Sequence, residues 1–453
     1  MNSELPEGWE WLPFEKLLEI PLRNGIYKQK EFHGRGIKIV NMGELFGHPR
    51  LKDIDMKRVE LTENELNKSV LQSGDLIFAR RSLTAEGAGK CTIVLEVNEP
   101  TTFESSIIRA RLNEEKADSE FYYYLFNSKF GKWLLGTILR QVAVAGITGS
   151  DLAQLEVPVP PINVQKDIAK NGALLDDKIE LNHQANQTLE QIAQAIFKSW
   201  FVDFEPVKAK IQAKQNGQDP ERAAMCAISG KTLEELEQLS PETQQQLKTT
   251  ATLFPDALVD SELGEIPEGW VVKSLGKKIT PKKGKNITKE TITAGNVPVV
   301  AGGLSPAYYH NAHNVTAPVI TISASGANAG FINLYHKNIW ASDCSFIDEV
   351  ATDYLYSIYL FFKSRQVEIT KMQQGAAQPH VYPKDLARLV LVDPSNEIWQ
   401  ELENIVRPFF ESAKNNIAEA SSLEELREIL LPKLLSGEIS IGETKSTTQA
   451  IAC

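Results

Sequence analysis

The feature that most limits how this chain can fold is a frame that occurs twice. Pro6-Glu7-Gly8-Trp9 returns 261 residues later as Pro267-Glu268-Gly269-Trp270, and Asp151-Leu152-Ala153-Gln154-Leu155 returns 234 residues later as Asp385-Leu386-Ala387-Arg388-Leu389. Each second marker leads into a long stretch of helical periodicity. Over 165–204, Leu175, Ile179, Leu189, Ala193, Ile196 and Trp200 fall on one stripe that also contains Asn182 and Asn186. Near the other end, Val406, Phe410, Ala413, Ile417, Ala420, Leu423, Leu426, Leu430 and Leu434 form a second stripe. A one-sided stripe needs a partner helix, and an amide within it costs stability while fixing register and partner. The expected helix-pair interface is Leu175, Ile179, Asn182, Leu189 and Ile196 against Phe410, Ile417 and Leu430. The two offsets differ, so the halves share a frame but not a filling. Two loose repeats are too few for a solenoid and suit a pseudo-symmetric protein of two modules.

The expected fold class is α+β, with two pseudo-repeated bodies separated by two long antiparallel, coiled-coil-like helices. The boundaries fall at 1–162 for the first body, 163–204 for the central helix, 205–264 for an acidic, glutamine-rich helical insert or spacer, 265–397 for the second body, 398–440 for the second long helix and 441–453 for a frayed tail. The first body should hold a short helix at 14–20, strands at 37–40, 75–79, 91–97 and 105–112, and one amphipathic helix at 120–137. Its counterpart should hold strands at 297–300, 319–323, 330–334, 338–341 and 345–347 and a helix at 353–365. Pro158, Pro160 and Pro161 end a strand and release the central helix. At ~1.5 Å per residue it would run roughly 55 Å, enough to hold two bodies apart. Its aromatic end, Phe197, Trp200, Phe201 and Phe204, reads as a hydrophobic foot.

Charge and motifs exclude several functions. The net charge of −11 is concentrated in the insert and tail, whereas residues 266–398 carry 13 basic and 10 acidic side chains. A nucleic-acid partner therefore requires local basic faces. The absence of an 18-residue apolar run points to a soluble intracellular protein with no membrane partner. Cys91, Cys226, Cys344 and Cys453 are scattered, without the spacing of a zinc cage or disulfide framework. Gly89-Lys90 and Gly230-Lys231-Thr232 lack the upstream glycine of a phosphate-binding loop, and no amino-methylating or nuclease motif is present. His310 and His313, the tightest histidine pair, have no third ligand nearby. No catalytic or metal-binding residue is assigned.

What remains are loops with nucleic-acid chemistry. In the first body these are Arg23, Asn24, Tyr27 and Lys28, with Arg80, Arg81 and Ser82. In the second they are Lys282, Lys283 and Lys285, then Tyr308, Tyr309 and His310, Ser323, Ser325 and Asn328, and Gln374 with His380. Arginine can fork onto guanine, asparagine onto adenine, and lysine suits phosphates. Each cluster alone is equally consistent with a solvated loop; their recurrence in both bodies is what draws attention.

Together with the Gly-rich turn at 323–330, Pro160-Pro161 before Gln165, and the run from Leu189-Glu190-Gln191-Ile192 to Phe197-Lys198-Ser199-Trp200-Phe201, these markers resemble the specificity subunit of type I restriction-modification enzymes. The resemblance covers nearly the whole chain. It departs at 423–435, which lacks the Trp-Phe foot, and at Asp393-Pro394-Ser395, which replaces the double proline. It implies two target-recognition domains, each reading one part of a split double-stranded DNA sequence, spaced by helices that also dock partners. It further implies two modification subunits that use S-adenosylmethionine and two restriction subunits that use ATP and magnesium, with no cofactor on this chain, in a bacterial or archaeal cytoplasm. The rival reading is a scaffold with two peptide- or carbohydrate-binding modules.

Overall fold

A computed structural model describes residues 5–140, 145–373 and 379–439. Both Pro-Glu-Gly-Trp motifs form the same turn. Trp9 N donates to Pro6 O and Trp270 N to Pro267 O, each at 3.1 Å, and the glycines take φ of +82° and +80°. That backbone conformation favours glycine, which explains why the motif is spelled identically. Each turn launches a strand that pairs antiparallel with the strand after the second marker. Glu10–Pro13 runs against Glu156–Val159, and Val271–Ser274 against Val390–Asp393. The Asp-Leu-Ala segments form short helices, Gly149–Ala153 and Pro383–Leu386, that lead into the strands Glu156–Val159 and Val390–Asp393, and their Leu152 and Leu386 are fully buried.

The bodies share a central topology, to which the first adds a fifth, parallel edge strand, Arg50–Leu51. In the first, the central antiparallel strands lie in the order Leu18–Asn24, Ile107–Leu112, Leu76–Ala79, Cys91–Val94; in the second, Lys282–Lys283, Cys344–Asp348, Val319–Ser323, Ile332–Tyr335. A three-stranded sheet accompanies each. Its middle strand, His33–Val40 or Val297–Val300, pairs antiparallel on one side and parallel on the other, with Thr101–Phe103 or Trp340–Ala341. The helix expected at 14–20 is a single 3-10 turn, Phe14–Leu17, followed by a strand, because Pro21 cannot continue a helix. The helix expected at 120–137 is broken at Ser128 into Ser119–Asn127 and Lys129–Thr137, Ser128 Oγ accepting from Gly131 N at 3.0 Å. In the second body Leu355–Ser364 is followed by Gln366–Lys371 in the same way.

Chain contacts divide the protein into two units, one comprising the residues up to Leu181 with those from Glu419, the other Asn182–Ala418. The core of the first is aromatic, with Phe14, Phe78 and Phe126 edge-to-face. That of the second gathers Phe197, Trp200, Phe201, Phe204, Trp270 and Trp399. The long helices, Ile162–Phe201 and Asn396–Leu435, are 40 residues each and pair antiparallel within each unit. In the first unit Leu175 and Ile179 meet Ala420 and Leu423, and Arg427 bonds Asp176. In the second, Asn416 Nδ2 donates to Asn186 Oδ1 at 2.8 Å and Asn186 Nδ2 to Ala413 O at 3.3 Å. Asn182 and Phe410 are buried, and Leu189, Ile196 and Leu430 half-buried. Ile417 departs from expectation: it is 44% exposed, because between Ala413 and Ala420 the helix turns Asn416 into the seam.

The insert is more than a spacer. Helices Glu205–Gln215, Pro220–Ser229, Leu233–Glu237 and Pro241–Thr252 include a small core of Ala224, Met225, Leu236 and Ala251. Buried Lys210 donates to Glu221 and to Phe254 O, both at 2.8 Å. Among the described residues, no helix is long and apolar enough to cross a membrane.

Candidate nucleic-acid interface

Strand register brings the two candidate clusters of the first body to one end of its central sheet. Asn24 lies opposite Ile108, which lies opposite Phe78, and Ala79 opposite Ile107. Beyond that row the loops are tied by backbone bonds. Gly25 N donates to Ile107 O (3.0 Å), Ile26 N to Phe103 O (2.9 Å), Arg80 N to Ser106 O (2.8 Å), Ile147 N to Arg80 O (3.0 Å) and Gly89 N to Ala79 O (2.8 Å).

The second body repeats this set bond for bond. Lys283 lies opposite Ser345 and Ser345 opposite Ile322. Gly284 N donates to Cys344 O (2.8 Å), Lys285 N to Ala341 O (2.9 Å), Ala324 N to Asp343 O (3.1 Å), Val381 N to Ala324 O (2.9 Å) and Gly330 N to Ser323 O (2.8 Å). The bonds therefore map Asn24 onto Lys283, Gly25 onto Gly284, Arg80 onto Ala324 and Arg81 onto Ser325. Gly25 and Gly284 are required by close approach: a Cβ would stand 2.2 Å from the carbonyl oxygens of Phe103 and Glu104, or from that of Ser342.

On this frame the candidates fare differently. Arg23, Asn24 and Arg81 are exposed, and Tyr27 is 80% exposed. Arg81 lies opposite Gly146 in a two-stranded ribbon with Ser82, whose Oγ accepts from Thr84 N. Arg80 is half-buried, with Nη1 3.3 Å from Ser105 O. Lys28 is half-buried and tied to its own body, its Nζ 2.8 Å from Glu65 and 4.9 Å over the Phe32 ring. That ammonium, helped by Thr62, pulls the Glu65 carboxyl down to about 2.

In the second body Lys283 and Lys285 are exposed, while Lys282 reaches Asp348 at 3.2 Å. Ser325 Oγ bonds Asp343, and Ser325 bridges to His380, whose ring stacks 5.5 Å from Tyr382. Tyr308 and Tyr309 are exposed on an edge strand of the three-stranded sheet, and Asn328 is half-buried. Two candidates are corrected. His310 is buried, its Nδ1 accepting from Thr293 N at 3.1 Å, and Ser323 is buried within the sheet, so neither is presented to a partner. Gln374 lies outside the described residues.

Residues 6–191 match the family model described as the type I restriction modification DNA specificity domain. The type I restriction enzyme HindI specificity subunit of Haemophilus influenzae is 34% identical over 336 residues, covering 65% of this chain and 71% of that protein. This chain belongs to the type I restriction enzyme specificity subunits. A second family member, the MjaIX specificity subunit of Methanocaldococcus jannaschii, aligns over 97% of this chain and 96% of its own length at 24% identity. The crystal structure of the type I restriction-modification S subunit from M. genitalium covers 96% of this chain with a TM-score of 0.55 at 16% identity, a likeness of fold. In this specificity subunit the matched segment, 6–191, holds every candidate of the first body. It also holds Arg109, a buried arginine on Ile107–Leu112 opposite Arg23. The only hint of it in the sequence is a second arginine, two residues before Arg111, in a strand whose other residues are apolar.

Proposed function

We propose that this specificity subunit reads a bipartite double-stranded DNA site, the loop-bearing end of each central sheet addressing one half. The observation that supports this reading is the bond-for-bond frame filled with unlike side chains: Asn24 against Lys283, Arg80 against Ala324, Arg81 against Ser325. A common backbone can approach a groove in the same way twice, while different side chains select different base edges. Exposed Arg81 and Asn24 carry the guanine- and adenine-type forks in the first body. In the second, exposed Lys283 donates to guanine O6/N7 and exposed Lys285 to phosphate, alongside Ser325 and His380.

On this reading the chain is non-catalytic and holds no cofactor. Two modification subunits bring S-adenosylmethionine for adenine methylation, and two restriction subunits bring ATP- and magnesium-dependent chemistry. The paired helices supply docking surface, and the complex works in a bacterial or archaeal cytoplasm. The test is to assemble the chain with its modification subunits and map methylated adenines across a DNA library. Arg81→Ala should relax base preference in one half of the site and Lys283→Ala in the other, by roughly 10- to 100-fold per position, with assembly intact. A wild-type complex without sequence preference in a mobility-shift assay, or both variants altering the same half, would favour the scaffold for peptide or carbohydrate instead.

A further inference from the structure

We propose that Arg109 and Arg23 form a phosphate-binding site on the first body, built to hold a backbone phosphodiester of the duplex; this rests on the DNA-reading function above. The two arginines are directly opposite one another on neighbouring antiparallel strands, Ile107–Leu112 and Leu18–Asn24, so their side chains leave the same face of the sheet. Arg23 is exposed at the rim and Arg109 is recessed, at 3% exposure. The Nε of Arg109 is sealed from solvent without a hydrogen-bond acceptor. Recessing a permanent cation with its Nε left unpaired is costly, and such a group is ordinarily matched by an anion.

The protein does not supply that anion. Asp75, the carboxylate whose charge acts most on Arg109, is committed elsewhere. Its two oxygens accept from Arg111 Nε at 2.7 Å and Nη2 at 2.8 Å, and Oδ2 also accepts from Gln72 N at 2.8 Å. Glu19, the other acidic group Arg109 senses, is exposed and makes no bond to it. Elsewhere in this body arginines hold carboxylates: Arg35 with Glu60, Arg50 with Asp177, Arg58 with Glu99 and Arg140 with Asp151.

The second body supplies a built-in comparison. The Arg23–Arg109 pair maps onto Lys282–Phe346, where the cation lies 5.8 Å over the phenyl ring and 3.2 Å from Asp348. The site therefore belongs to the first body alone. Two planar guanidinium forks, one at the rim and one recessed, suit the paired oxygens of a phosphodiester, whose single negative charge the recessed fork lacks. A contact of this kind fixes register on the duplex and carries no base preference.

The test uses the chain assembled with its modification subunits. Arg109→Met keeps the length and removes the charge. Without DNA its thermal midpoint should rise by about 2–4 °C, since an unmatched buried charge is gone. Affinity for target and non-target duplexes alike should fall by roughly 10-fold, the slope of log affinity against log salt should flatten by about one, and the methylated sequence should be unchanged. Arg23→Ala, at an exposed position where folding is not at stake, should flatten the slope equally. The assignment is overturned if Arg109→Met lowers the midpoint and leaves affinity and slope as they were, which marks a packing residue. It is overturned too if inorganic phosphate, against chloride at equal ionic strength, stabilises only the wild type while neither variant changes the slope, which marks a free-phosphate site. Loss of sequence preference already in the wild-type complex would strike the DNA-reading function itself, a result distinct from either.

Discussion

Gly25 and Gly284 show how little room the recognition frame leaves at single positions. Neither has an unusual φ; what demands glycine is the carbonyl oxygen a Cβ would meet at 2.2 Å, backbone that cannot step aside as a side chain would. Gly25→Ala is therefore expected to push its loop from Phe103 and Glu104, costing about 1–3 kcal/mol as overpacking does and displacing Arg23 and Asn24. Mapping methylated sites should show the first half of the recognition sequence degraded by Gly25→Ala and the second by Gly284→Ala. If either substitution blurs both halves equally, the frame is not local to its body and this account of it is wrong. The same scale explains what single residues concealed. His310 and Ser323 look like loop chemistry in the sequence, but His310 ends an edge strand and turns inward to Thr293, and Ser323 is the last residue of a buried strand. Polarity marks a group that needs a partner; it does not say whether that partner is solvent, ligand or the protein's own backbone.

Among elements, the two long helices were the most legible, because a stripe sustained over about seven or eight turns calls for a partner helix. The seam was less so. The seven-residue spacing from Ala413 to Ala420 admits either Asn416 or Ile417 at its centre, and hydrophobicity favours the isoleucine. The structure takes Asn416 because Asn186 faces it: Asn416 Nδ2 donates to Asn186 Oδ1, and Asn186 Nδ2 donates on to Ala413 O. Asn186→Leu alone should cost about 1–2 kcal/mol, since it leaves the half-buried Asn416 amide and Ala413 O without their partner, while Asn186→Leu with Asn416→Leu should recover most of that loss. Denaturant unfolding of the four members of this cycle measures the coupling, and a neutral single substitution would show the pair to be incidental. The paired markers were legible for a different reason. Pro-Glu-Gly-Trp spells a turn that needs glycine, and Asp-Leu-Ala buries its leucine beside the partner strand, so both are held to a spelling by the backbone. The strands between them are bound only by alternation and burial, which many sequences satisfy. Their equivalence therefore emerges from hydrogen bonds rather than from letters.

At the scale of the molecule, the shared topology comes with two separate hydrophobic cores, and a recognition protein can use that separation. If each core independently holds its own loops, damage to one should leave the other reading correctly. Phe78 is fully buried and sits edge-on between Phe14 and Phe126, so Phe78→Ala should cost about 3–5 kcal/mol in the first unit. Ile320, equally buried at the middle of its sheet, should cost about 2–5 kcal/mol on truncation to alanine in the second. Native-state hydrogen exchange distinguishes local from global loss. Phe78→Ala should strip protection from Leu76–Ala79 and Ile107–Leu112 while Val319–Ser323 and Cys344–Asp348 retain theirs, and Ile320→Ala should do the reverse. The long helices contribute residues to both units, which makes the experiment demanding: a cooperative helix pair would carry the loss across, and both sets of strands would then exchange together. That outcome would mean the two cores stand or fall as one, and that a sequence change in either body is felt by both halves of the recognised site.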